Sequence, residues 1–158
     1  MKPPTKHRTL STATLLLGAL AAGTLALAPA AQAVEPTTAT LSFDCGSYGS
    51  GEASLTATQD GTAATITVST STITAPIPIS ANSVESTLTL TKNGSGTTTF
   101  TGNANPAIPA GGAVSTGPLN GTVTAGDSLE ASSLTVVVLG ITATCNATSP
   151  QNPGPFVF

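Results

Sequence analysis

In Ser54-Leu55-Thr56-Ala57-Thr58-Gln59-Asp60-Gly61-Thr62-Ala63-Ala64-Thr65-Ile66-Thr67-Val68-Ser69-Thr70, small apolar and hydroxyl side chains alternate on either side of a glycine. Ala64, Ile66 and Val68 share one face, and the intervening Thr and Ser share the other, which is the period-two pattern of a half-buried strand. Gln59-Asp60-Gly61-Thr62 reads as the turn of a hairpin, because glycine enters positive φ without a steric penalty. The segment predicts two antiparallel strands, 54–58 and 63–70.

The same alternation recurs through the chain. Over 38–45, Leu41, Phe43 and Cys45 oppose Thr40, Ser42 and Asp44. Over 84–91, Val84, Ser86, Leu88 and Leu90 share a side, and Asn93-Gly94 turns the chain back into 97–101, anchored by Phe100. Further strands are predicted over 119–124, 133–139 and 141–147. Val136-Val137-Val138-Leu139 is apolar on both faces, which predicts a central or covered strand, with Gly140 allowing a bend. Residues 73–79 contain Pro76 and Pro78, which lack the donor a central strand needs, so this piece reads as an edge strand or an extended strap. Of residues 34–158, 25 are Thr, a β-branched type that suits a pleated surface better than a helix. About eight short strands separated by turns predict an all-β fold, an immunoglobulin-like β-sandwich, with a closed barrel as the alternative.

Met1 to Arg8 is basic, Leu10 to Leu27 is apolar, and Ala31 and Ala33 occupy small-residue positions. The three parts compose a secretory signal peptide over 1–33, cleaved after Ala33. The chain then divides into a β-domain over 34–148 and a Pro-rich tail over 149–158. Residues 34–158 carry Lys92 as their single base against seven carboxylates, with no His and no Arg. Nucleic acid is an unsuitable partner, since phosphate neutralisation needs clustered Lys and Arg. With no second long apolar run, no membrane association is expected after cleavage. The expected localisation is extracellular.

Cys45 and Cys145 lie near the two ends of the domain. An exported chain meets oxidising surroundings, and two cysteines allow one intramolecular pairing. A loop of this length stabilises by about 4–5 kcal/mol on the chain-entropy model. A reactive thiol or metal pair would need a base or further ligands.

Without His there is no ordinary general base for a Ser or Cys nucleophile, and Lys92 sits at a hairpin tip where it is solvated. Glu35, Asp44, Glu52, Asp60, Glu85, Asp127 and Glu130 read as turn and surface residues. Asp127 and Glu130 lie close in sequence but in no calcium-loop pattern. No cofactor and no catalytic residue is expected, and the protein is read as a non-enzyme. Asn93, Asn120 and Asn146 head glycosylation sequons. Candidate contact residues for an unknown protein or cell-surface partner are Tyr48, Ile108, Phe156 and Phe158. Tyr48 is the one residue suited to stacking on a sugar. Ile108 sits between Pro106 and Pro109 in the long 102–118 segment, which reads either as a rigid insert presenting Ile108 or as a strap between two sheets with Ile108 packed inward. Phe156 and Phe158 end the tail and can add to a sheet edge.

Leu41-Ser42-Phe43-Asp44-Cys45, Phe100-Thr101-Gly102, Pro109-Ala110-Gly111, Gly121-Thr122-Val123 and Thr144-Cys145 give the chain a layout that resembles small actinobacterial secreted all-β domains of uncharacterised function. The resemblance implies export and an all-β core with one cysteine near each end, and it carries over no catalytic residue. The expected role is a secreted binding or surface-associated structural module. Alternatives are an inhibitor of an extracellular hydrolase working through the 102–118 loop, and a weak carbohydrate or cell-wall binder.

Overall fold

The computed structural model describes residues 33–158, so the leader expected over 1–33 lies outside the described residues except for Ala33. The strands are β1 (Thr38–Asp44), β2 (Ser50–Asp60), β3 (Ala63–Thr74), β4 (Glu85–Lys92), β5 (Gly96–Gly102), β6 (Ala113–Thr122), β7 (Ser128–Val138), β8 (Ile141–Ala147) and β9 (Phe156–Val157). The all-β expectation holds.

The sheet order is β4-β5-β6-β3-β2-β1-β8-β7, and β4 pairs with β7 to close an eight-stranded antiparallel ring, with β9 added beside β7. The closing ladder runs from Glu85 opposite Val137 to Lys92 opposite Leu129. The expected two-sheet immunoglobulin-like sandwich is therefore replaced by a barrel. Alternation along each strand is common to both architectures. What separates them is pairing at the strand edges, and here two short seams complete the ring.

The first seam, β5 to β6, has one ladder pair, Thr101 with Asn120. Gly102 and Pro118 meet closely at this seam, since a Cβ on Gly102 would lie 2.9 Å from the Pro118 carbonyl oxygen. The second seam, β1 to β8, pairs Phe43 with Ala147 and Asp44 with Asn146. The next position in that register is Cys45 opposite Cys145, and there the disulfide joins the strands with Cα atoms 3.9 Å apart.

One end of the barrel is packed solid. Leu90, Phe100, Leu119, Leu129, Phe156 and Phe158 are fully buried there. Phe158 lies between the other rings, 6.5 Å from Phe100 and 6.4 Å from Phe156, edge-on to the latter. A Cβ at Gly121 would come within 2.5 Å of the Phe100 ring, so only glycine leaves that ring its place. The tail supplies two of these aromatics. Phe156 and Val157 pair with Leu129 and Ser128, Val157 exchanges both backbone hydrogen bonds with Glu35, and Gln151 Oε1 accepts from the Ala131 N–H at 3.2 Å. Residues 149–158 thus complete the base of the barrel. Burying two Phe rings, at about 1.5–3 kcal/mol each, draws the tail inward.

The outer faces carry the hydroxyls. The opposed pair Thr58–Thr65 is hydrogen-bonded at 2.7 Å and Thr135–Thr144 at 3.4 Å. Cross-strand Thr pairs of this kind stabilise a sheet by a few tenths to about 1 kcal/mol each.

Replacing Phe158 by Ala should cost about 3–5 kcal/mol, the usual range for deleting a fully buried Phe, while Val157→Ala on the exposed side of β9 should cost less than about 1 kcal/mol. Urea unfolding of the two variants checks this; equal and small losses would show that the tail does not close the barrel.

Candidate functional site at the barrel mouth

Four connections meet at the opposite end of the barrel: 45–49, 75–84, 103–112 and 139–140. The first is a 3-10 turn, Gly46–Tyr48. Asp44 Oδ1 accepts from the Gly46 N–H at 2.7 Å, and the Cys45 N–H donates to the Gly49 carbonyl at 2.8 Å. The turn lifts Tyr48 to the rim.

The two long connections hold each other. Ile79 and Ile108 exchange both backbone hydrogen bonds at 2.8 and 2.9 Å, and Ala75 is bonded to Gly111 and Gly112. Asn105 is buried between them with its amide fully used. Its Oδ1 accepts from the Ser83 and Val84 N–H groups, and its Nδ2 donates to the Ser80 and Pro106 carbonyls, at 2.8–2.9 Å. The 102–118 segment therefore clamps the 75–79 strap in place. Ile108 is turned inward, 4% exposed, because its backbone is committed to Ile79 and its side chain lies on the inner side of that pair.

Between these loops and the packed base lies an open cavity of about 300 Å³ with an almost wholly apolar lining. Leu41, Phe43, Ala53, Leu55, Val68 and Ile73 form one wall. Leu134, Val136, Val138, Ala143 and Ala147 form the other, with Ala75 and Ile79 of the strap and the disulfide between. Four apolar side chains stand exposed around the opening: Tyr48 at 50%, Ile77 at 51%, Leu139 at 71% and Ile141 at 53%.

Leu139 is out of place by ordinary rules. With Gly140 it makes the two-residue turn between β7 and β8, where Val138 faces Ile141. Its φ is 51°, the left-handed region that costs a branched apolar residue about 1–2 kcal/mol. At the packed end the corresponding φ of 52° falls to Asn93, a type that tolerates it. Leu139 is thus both strained and exposed at an apolar rim.

Of the candidate contact residues, Tyr48 reaches the rim, whereas Ile108, Phe156 and Phe158 are buried and unavailable to a partner. Ile77, Leu139 and Ile141 are rim residues that sequence reasoning missed. Their signal was an isoleucine between two prolines, and a leucine in a turn slot suited to Asn. Of the Val136–Leu139 run expected to be central or covered, Val136 and Val137 are paired on both sides, to β4 and β8, Val138 pairs with β8 alone, and Leu139 is an exposed turn residue. Gly140, expected as a bend, is the second residue of the hairpin turn.

The carboxylates are dispersed. Asp127 is bound by Lys92 Nζ at 2.7 Å, by the Thr124 N–H at 2.8 Å and more loosely by Asn93. Glu130 Oε1 instead accepts from the Gln151 N–H at 3.3 Å. Among the described residues no group of three or more His, Cys, Asp or Glu side chains comes together in a way that could hold a metal. Also among the described residues, no helix is long and apolar enough to cross a membrane. No protein-family model, curated protein or solved structure matches this chain.

The Lys92 ammonium, hydrogen-bonded to Asp127, holds that carboxyl below its ordinary value, against the opposing effect of burial. A folded-state value below the unfolded one gives stability that is present above the ordinary carboxylate range and lost as pH falls through the folded value. Asp127→Asn should lower the thermal midpoint at neutral pH and flatten its decline in acid. Midpoints recorded from neutral pH into the acid range check the sign, and an unchanged acid limb would remove Asp127 from the account.

Proposed function

We propose that this is a secreted, non-catalytic binding protein that accepts an apolar group in the mouth of its barrel. The open cavity with its exposed rim is the observation that carries the reading. At about 300 Å³ it stands at the small end of the roughly 300–1,000 Å³ typical of ligand pockets. An eight-stranded barrel is just wide enough to be filled by side chains or to hold one small ligand, and here the mouth half is left unfilled. The loops framing it are tied down by Asn105 and by the disulfide, so the site is preorganised and little ordering entropy is lost on binding.

Export is supported by the leader-like sequence over 1–33 and by a disulfide compatible with an oxidising compartment. The non-catalytic reading rests on the absence of His from residues 34–158 and on an apolar cavity wall that offers no base. An inhibitory insert at Ile108 is disfavoured by its burial. Sugar binding at Tyr48 is disfavoured by its neighbours Ile77, Leu139 and Ile141, which offer a saccharide no hydrogen bonds.

The test uses the neutral fluorophore N-phenyl-1-naphthylamine, displaced by decanol. Saturable uptake is expected. Leu139→Asn should raise stability by about 0.5–1 kcal/mol through relief of the left-handed strain. The same change should weaken uptake about fivefold, while Ala143→Trp, which fills the cavity, should weaken it at least about tenfold. Failure of the unaltered protein to take up either compound would overturn the reading.

A further inference from the structure

The cavity ends blind, and its floor can be located strand by strand. Inward side chains on a strand recur at every second position. The lining reaches Leu41 on β1, Leu55 on β2, Val68 on β3 and Leu88 on β4. The next inward residues, Ala39, Ala57, Ile66 and Leu90, are buried in the packed end and do not line the cavity. On β7 the boundary falls between Ala131, which lines it, and the fully buried Leu129. Leu90 and Ala131 are partners in the β4–β7 ladder, so the last lining residue of one strand lies beside the first floor residue of the other. Lining hydroxyls are engaged by the protein itself. Those of Thr70, Thr116 and Ser132 donate to the Glu52, Gly117 and Thr89 carbonyls at 2.7, 2.7 and 3.0 Å. The buried Ser86 hydroxyl, which has no hydrogen-bond partner, is not part of the lining.

We infer that the ligand is a hydrocarbon chain of about ten to twelve carbons with its polar group confined to one end, and that the cavity floor at Leu88 and Ala131 sets this length. This rests on the reading of the mouth as an apolar binding site. A dry apolar cavity of about 150 Å³ holds one benzene molecule. At about 300 Å³ this cavity has room for about twice that. Each methylene that enters leaves water for an apolar wall and tightens binding. Once the chain meets the floor, further methylenes stay in water and add nothing. The packed base does not yield to them, because an interior at close-packed density has no room for an added methylene. A polar group carried down to the floor would lose its water partners and find none in their place. The site therefore reads two properties of a chain, its length and the absence of a polar group at its far end.

The experiment displaces N-phenyl-1-naphthylamine with hexanol, octanol, decanol, dodecanol and tetradecanol, each below its solubility limit. Affinity should rise about three- to fourfold per added methylene and then level off between decanol and dodecanol. The isomers 1,2-decanediol and 1,10-decanediol separate depth from overall polarity. The first keeps both hydroxyls at the mouth and should bind at least about tenfold tighter than the second. Ala131→Leu, which raises the floor, should bring the plateau to shorter chains, and Leu88→Ala, which lowers it, should move the plateau to longer ones. Affinity that climbs without a break through tetradecanol, equal binding of the two diols, or a plateau unmoved in both variants overturns the length inference, while decanol binding leaves the apolar site standing. No displacement by any of the alcohols removes both. Should the variants fail to fold, the diol pair on the unaltered protein still decides the matter.

Discussion

Closing eight strands into a ring fixes the width of what lies inside, and the inward side chains must fill it or leave it open. This chain has four Phe and no Trp with which to do so. Three of the four, Phe100, Phe156 and Phe158, gather at one end with Leu90, Leu119 and Leu129. The fourth, Phe43, lines the mouth half, where small side chains at Ala53, Ala143 and Ala147 and the paired cysteines lie among the Leu, Ile and Val residues of the wall. A void with apolar walls and no contact partners forfeits dispersion energy, at about 24 cal/mol per Å³ of residual cavity in measured cases. An open, preorganised mouth is thus held at a cost in packing, and the solid base offsets it.

How much of this could be read from the residues depends on the range of the interaction. The hairpin over 54–70 was legible because both strands and the turn are local. The turn is tighter than it looked, with Asp60 opposite Ala63 and only Gly61 and Thr62 between. Strand β8 begins and ends where its alternation does. Strand β6 was half hidden, because Gly117 and Pro118 resemble a break. They form a bulge instead, in which the Thr116 hydroxyl accepts from the Val68 N–H at 3.1 Å. Barrel closure was legible only as the alternative to a sandwich, with nothing local to decide between them. It rests on the β4–β7 ladder and on two seams of one and two pairs, and no local pattern encodes which distant edges meet.

The candidate site lies further still from sequence. A cavity is a deficit of volume, and its walls come from strands spread over the whole domain. The tail looked like a linker because Pro150, Pro153 and Pro155 make it so locally, yet its fate is set by the Phe residues that follow. Tyr48 was visible because a lone aromatic in a Gly-Ser loop has few core positions to occupy. Leu139 was not, since a leucine beside three valines reads as more core until the turn around it is known.

The two ends of the barrel are built differently, and the contrast shows where strain is tolerated. At the base, Asn93 takes the left-handed turn position, and its side chain accepts from the Ser128 N–H at 2.9 Å. Lys92 and Asp127 join the same corner, and Phe158 donates its N–H to the Asp127 carbonyl. Each local choice there agrees with the fold. At the mouth, Leu139 takes the equivalent backbone at a penalty and leaves its side chain in water. Asn105 and the Cys45–Cys145 bond make that tolerable, since they fix the surrounding loops and the weak β1–β8 seam without drawing on the rim residues themselves. A protein under pressure only to fold would place Asn or Gly at position 139. Leucine there is what the proposed uptake of an apolar group at the rim requires.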